Sequence, residues 1–177
     1  LRPGGYLFAT IHRAENRQPA AMRAWTALLG AVAAPDRPVV LALHPGTRAA
    51  LEAAGLRLDA DVRVVEPQPY RSTLALQLHA GAVLTDSGGV QRESAWLGVP
   101  CLVLRERTEW TEAVAGSAGT MVLVGRDAAS AQAALARLAP SQRGSELAAQ
   151  RAAVANLGPA GAAAAIASAL VEDGDVA

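Results

Sequence analysis

Short apolar runs recur along the chain, closed by glycine, proline or charge. Between them lie stretches whose apolar residues return every three to four positions. The runs are Tyr6-Leu7-Phe8-Ala9-Thr10, Val39-Val40-Leu41-Ala42-Leu43, Val62-Arg63-Val64-Val65, Ala82-Val83-Leu84-Thr85, Cys101-Leu102-Val103-Leu104 and Met121-Val122-Leu123-Val124-Gly125. Val39–Leu43 shows the pattern best: an unbroken apolar run of this length marks a parallel strand covered on both faces. Helical spacing is read over 20–34, where Met22, Trp25, Leu28, Leu29 and Val32 share one face, so Trp25 is expected in the core. Further helices are expected over 47–54, 72–79, from the glycines after Ser87 to Gly98, and over 128–138, 142–156 and 161–171. Residues 116–119 read as a turn. Six strand candidates alternating with helices predict a doubly wound parallel α/β sheet, Rossmann-like, in one domain.

In such sheets ligands gather outside the carboxyl ends of the strands. The stretch that best fits a ligand there is Thr85-Asp86-Ser87-Gly88-Gly89-Val90-Gln91-Arg92-Glu93. It reads as a buried strand, a glycine turn and a helix start, with Gly98 and Pro100 ending the helix. Gly88 and Gly89 allow close backbone approach because no Cβ intervenes. The helix start offers free N–H groups and a positive dipole end to a phosphate, and Ser87 adds a hydroxyl donor. Glu93, one turn in, can accept only from donors such as sugar hydroxyls. The set fits a pyrophosphate carrying a ribose. A bare tight turn with a capped helix is the plainer alternative.

Two other strand ends carry chemistry. Ile11-His12-Arg13-Ala14-Glu15-Asn16 follows the first, and His44-Pro45-Gly46-Thr47-Arg48 the second. Arg13 is suited to a phosphate or, less specifically, to Glu15 or another carboxylate. His12 and His44 are expected to share one cleft, and Arg48 reads equally as a contributor of charge or as a solvated residue. Between Pro67 and Pro69, an extended loop presents Gln68 for hydrogen bonding.

Composition narrows the partners. The chain has 177 residues, 51% of them hydrophobic, enough for a full core, and Lys+Arg equals Asp+Glu at 16 each. Zero net charge without a basic run argues against nucleic acid or an anionic membrane as the main partner. The lone Cys101 sits in an apolar run, which suggests an inert core thiol in a cytoplasmic protein. No signal peptide and no apolar run of membrane-spanning length is seen. The chain opens on Leu1 after no methionine, and Pro3-Gly4-Gly5 reads as a linker, as expected of a piece of something longer.

Two motifs together carry a family resemblance. Thr10-x-His12-Arg13-x-Glu15-Asn16 and Asp86-Ser87-Gly88-Gly89-Val90-Gln91-x-Glu93, followed by Leu97-Gly98-Val99-Pro100 and Arg105-x-x-Thr108-Glu109-x-x-Glu112, resemble the non-hydrolysing UDP-N-acetylglucosamine 2-epimerases. The resemblance runs from about Thr10 to Gly125, with Asn156 and Gly161 as a weak tail. It implies that residues 1–177 form the second, UDP-binding half of a glycosyltransferase B architecture.

The implied partners are UDP and a UDP-N-acetylhexosamine, in a full-length protein that is a homodimer and needs no cofactor or metal. His12 is then expected to act on the diphosphate or sugar as the catalytic residue. Arg13, His44, Gln68 (at the uracil), Ser87, Gly88, Gly89, Glu93, Arg105 and Trp110 are expected to bind substrate. The reaction implied is elimination of UDP to a glycal and its return after inversion at C2. The general base for C2 comes from carboxylates of the family's first half, absent here, so this chain alone is not expected to turn over.

The sequence departs from the family at two places. Thr73 stands where an aromatic residue packs on uracil: either Tyr70 substitutes from nearby, or base affinity is weaker. Trp110 and Thr111 replace Arg and Pro, which leaves Trp110 to pack on the nucleotide. A lost charge-assisted bond there would cost about 1.5–3 kcal/mol. Arg92, where the family often has Glu, reads as a surface change. Two other functions suit the same residues: a UDP-sugar-binding module without catalysis, and part of a glycosyltransferase of this fold.

Overall fold

A computed structural model describes residues 1–117 and 119–138, with Ala164 and Ser168 besides. Six strands form one sheet: β1 (Leu7–Ile11), β2 (Val39–Leu43), β3 (Val62–Val65), β4 (Ala82–Thr85), β5 (Cys101–Val103) and β6 (Met121–Leu123). Their spatial order is β3-β2-β1-β4-β5-β6, and every pair is parallel. The expected doubly wound, Rossmann-like sheet is present. Its helices are α1 (Pro19–Val32), α2 (Pro45–Ala53), α3 (Tyr70–Leu78), α4 (Gly88–Leu97), α5 (Thr111–Gly116) and α6 (Ala128–Arg137).

The apolar runs explain the layers. Alternate residues of a strand point to opposite faces. Leu7, Ala9 and Ile11 of β1, Val39, Leu41 and Leu43 of β2, and Ala82 and Leu84 of β4 enter one core. The α1 residues Met22, Trp25, Leu28 and Leu29 and the α6 residues Ala131, Ala134 and Leu135 complete it. Phe8, Val40 and Val83 enter the opposite core, with Leu76 of α3 and Val90 of α4 against it. The α5 residue Ala113 packs with Cys101, Val103 and Met121 on a third cluster. Only β3 breaks the rule: Arg63 and Val64 are exposed, because β3 is an outermost strand. A charged residue there discourages edge-to-edge pairing with another chain.

Local signals set most helix limits. Pro19 and Pro45 start α1 and α2, where a missing N–H costs nothing. Gly98, at φ 70°, ends α4 in the left-handed conformation, and Val99 N–H donates back to Ser94 O. Two elements were not expected, a 3-10 turn at Ala14–Arg17 and the short helix α5. Neither offers periodicity: one is four residues long and the other six. The helices expected over 142–156 and 161–171, with Asn156 and Gly161, lie outside the described residues, except that Ala164 and Ser168 are helical.

Cys101 is fully buried in β5, and burial pushes its thiol up to about 12, the Ser94 hydroxyl offsetting only part of the rise. It is therefore a protonated core residue at neutral pH. Disulfide reagents are expected to leave it untouched in the native chain and to titrate one thiol after unfolding in urea. Rapid labelling of the native chain at pH 7 contradicts this placement.

Candidate functional site

The sheet reverses its winding between β1 and β4, and the crevice at that point is where α/β sheets bind ligands. Two segments meet there: 12–17 after β1 and 86–89 after β4. Asp86, fully buried, ties them together. Its carboxylate accepts from the His12 backbone N–H at 3.1 and 3.2 Å and from that of Arg13 at 2.9 Å. It also accepts from Asn16 Nδ2 at 2.8 Å. Asn16, itself buried, receives Arg126 Nη1 on its other side at 3.0 Å, and its carbonyl accepts Trp25 Nε1 at 2.9 Å. A buried carboxylate is tolerated when its oxygens are filled in this way. The loops after β1, β4 and β6 are thereby one hydrogen-bonded unit.

Above Asp86 sits the start of α4. Ser87 is its N-cap: the hydroxyl oxygen accepts from Val90 N–H at 3.4 Å, and the hydroxyl proton remains to be donated. Ser87 N–H in turn donates to Thr85 Oγ1 at 3.0 Å. The N–H groups of Gly88 and Gly89 precede the helix's own ladder. Among the described residues they donate to no protein group.

A Cβ on Gly88 would stand 2.5 Å from Glu109 Oε1 and 2.9 Å from Trp110 Nε1, so the loop after β5 closes over this glycine. Glu109 accepts from Arg105 Nη1 at 2.6 Å and from Arg13 Nη2 at 3.4 Å. Its own backbone N–H and then Arg105 hold its carboxyl below the usual range. A depressed folded value adds stability that is present at neutral pH and fades as pH falls through that value. With the side chain 45% exposed, the amount is small.

Each expected site residue now has a place. His12 lies one residue beyond β1, its ring half-exposed, with Nδ1 3.5 Å from Asp86 Oδ1. His44 lies one residue beyond β2, and Ile11 and Leu43 are in register, so the two histidines follow adjacent strand ends. His44 Nδ1 caps α2 by accepting from Gly46 N–H at 3.1 Å, so Nδ1 is taken up within the protein. Arg13 and Arg105 converge on Glu109. Glu93 accepts from Gln77 Nε2 at 2.7 Å through one oxygen.

Gln68 folds into its own loop, donating to Glu66 O at 2.8 Å, and Thr73 Oγ1 donates to Gln68 O. Tyr70, the first residue of α3, is exposed. Arg48 pairs with the exposed Glu66 at 2.7 Å, a partner the sequence reading did not name.

Sequence reasoning assigned no task to four residues that build the site. Asp86 and Asn16 form the tie just described. Gln91, fully buried, accepts Thr108 Oγ1 at 2.7 Å and so pins the loop after β5 to α4. Arg92 was expected on the surface. Instead its guanidinium lies 4.5 Å from the Trp110 ring centroid and 4.8 Å from that of Trp96. The first three residues all stand inside the quoted motifs. Among the described residues no cluster of three or more metal-ligating side chains occurs, and no helix is long and apolar enough to cross a membrane.

Comparison with known proteins agrees with this geometry. The sequence model for UDP-N-acetylglucosamine 2-epimerase matches residues 1–171. The UDP-2,3-diacetamido-2,3-dideoxy-D-glucuronate 2-epimerase of Pseudomonas aeruginosa is 42% identical over 124 residues, covering 70% of this chain and 34% of that protein. The UDP-GlcNAc 2-epimerase structure from Methanocaldococcus jannaschii superposes with TM-score 0.72 at 29% identity, covering 81% of this chain and 41% of that one. The Neisseria meningitidis UDP-GlcNAc 2-epimerase, solved bound to UDP-GlcNAc, gives TM-score 0.71 at 28% identity over 96% of this chain and 45% of that one. The chain spans about a third of the length of the curated relatives it matches.

Proposed function

The chain belongs to the UDP-N-acetylglucosamine 2-epimerase family, and on that premise we propose that it is the UDP-holding C-terminal part of a 2-epimerase acting on a UDP-2-acetamido sugar. The observation that carries the reading is the start of α4. Gly88, Gly89 and Ser87 offer donors at the switch point of the sheet, flanked by Arg13 and Arg105. In the proposed reaction the bond from the sugar to UDP breaks, leaving a glycal, and UDP returns after C2 is inverted. Negative charge develops on the departing diphosphate. Helix-end N–H groups, the Ser87 hydroxyl and a ring N–H of His12 stabilise it where it forms. Glu93 is the ribose acceptor, its carboxylate held by Gln77. Gln68 and His44 are assigned to the uracil and sugar ends. The base at C2 belongs to the part of the enzyme outside this chain, so the complete protein, proposed as a cytoplasmic homodimer, is the unit of turnover.

The sugar has two candidates. UDP-N-acetylglucosamine, exchanged with UDP-N-acetylmannosamine, is the primary one. The relative that is 42% identical acts, by its name, on a diacetamido glucuronate, which supports a carboxylate-bearing sugar as the second. Incubating the complete enzyme with each substrate separates the two.

Calorimetric titration of this chain with UDP, beside Ser87→Ala and Glu93→Ala, tests the seat. Saturable binding, weakened about tenfold or more by each change, is expected, since bonds to charged groups are worth about 1.5–3 kcal/mol. UDP binding indifferent to both changes overturns the placement. No binding by the parent chain overturns the claim of a preformed half-site.

A further inference from the structure

We propose that the indole N–H of Trp110 is a phosphate-oxygen donor, aimed edge-on at the start of α4 and held there by Arg92. The inference rests on the reading of that helix start as a diphosphate seat. Trp110 Nε1 is buried and has no hydrogen-bond partner within the protein. A buried donor without an acceptor costs about 1–3 kcal/mol, so an orphan of this kind calls for a reason. Its position supplies one. Trp110 Nε1 stands 2.9 Å from the place a Gly88 Cβ would take, beside the unladdered N–H groups of Gly88 and Gly89. An anion seated on those amides is within its reach. The contrast with the other buried indole donor is instructive: Trp25 Nε1 is satisfied by Asn16 O.

The ring's orientation is fixed from outside. The Arg92 guanidinium lies over the Trp110 ring at 4.5 Å and over the Trp96 ring, four residues on along α4, at 4.8 Å. Trp110 N–H also donates to Thr108 Oγ1 at 3.2 Å through its backbone, and Thr108 is bonded to Gln91 of α4. With one face given to Arg92, the indole meets a ligand by its edge. This differs from the sequence expectation of packing on the nucleotide, and it gives Arg92 a task. Arg92 is a positioning residue, acting through Trp110.

The chain has three tryptophans, so three indole N–H signals are expected in an ¹⁵N-correlated spectrum. Trp110→Phe identifies the relevant one, and it keeps an aromatic face for Arg92. On titration with UDP or inorganic pyrophosphate, the Trp110 signal is expected to move downfield and saturate, while uridine leaves it in place. Trp110→Phe is expected to bind UDP about tenfold to a hundredfold more weakly. If UDP binding is weakened by Ser87→Ala but not by Trp110→Phe, the proposal falls and the diphosphate seat stands. A Trp110 signal that follows uridine as it follows UDP also overturns it, since the donor then serves the base. If the parent chain binds neither UDP nor pyrophosphate, both readings fall.

Discussion

Replacing Asp86 with Ala is expected to destabilise the chain by about 3 kcal/mol or more, since each buried donor left without its acceptor costs about 1–3 kcal/mol. The loss follows from what is left behind. The N–H groups of His12 and Arg13 and the Asn16 amide all donate to this carboxylate inside the protein, and each is orphaned when it goes. Asp86→Asn preserves the volume but turns one acceptor into a donor facing other donors, so it too is expected to lose stability, though less. The check is urea denaturation followed by fluorescence of the core Trp25, read as a lower midpoint at an unchanged slope. A shift within about 0.5 kcal/mol would place Asp86 with ordinary surface residues and refute its part in the architecture.

Gly88→Ala is expected to separate folding from binding. Gly88 lies outside the left-handed region, as the first residue of α4, so alanine suits its backbone and is the better helix former by about 1 kcal/mol. The added methyl, however, stands 2.5 Å from Glu109 Oε1 and 2.9 Å from Trp110 Nε1. The Glu109 carboxylate can swing aside, and the Trp110 edge must give by a few tenths of an ångström, a local shift the fold survives. The methyl itself stays in the seat between α4 and the covering loop, where the diphosphate is placed. UDP affinity is expected to fall by about tenfold to a hundredfold, with melting little changed. Unaltered affinity would move the phosphates away from Gly88 and leave the reading without its main support.

How much of this was legible depends on the residue. β2 and β4 could be read because a strand covered on both faces needs an unbroken apolar run, which is what Val39–Leu43 and Ala82–Leu84 are. α4 could be read because Ser87 begins it and Gly98 ends it, each by its own chemistry. The short α5 could not, since Trp110 before it makes no side-chain cap and its six residues complete fewer than two turns.

In the site, the groups that face outward at strand ends, His12, Arg13 and Ser87, were visible as chemistry. Asp86 and Asn16 were visible only as letters of a motif. Their work is to bind main chain from distant segments, and hydrogen bonds across 70 positions leave no periodicity to read. Arg92 was misjudged for a related reason: its partner Trp110 lies on another loop, and only the fold brings the two together.

The Asp86 tie has an entropic consequence. It joins the segment after β1 to that after β4, and through Asn16 it reaches Arg126 beyond β6. Loops that must settle around a ligand subtract their lost freedom from its affinity. Here that freedom was surrendered when the chain folded, and a nucleotide arriving at the crevice meets a surface already fixed. Binding energy that would have gone to ordering the seat is left for another use. In the two-part enzyme proposed above, that surplus would be available to bring the second part against the seat.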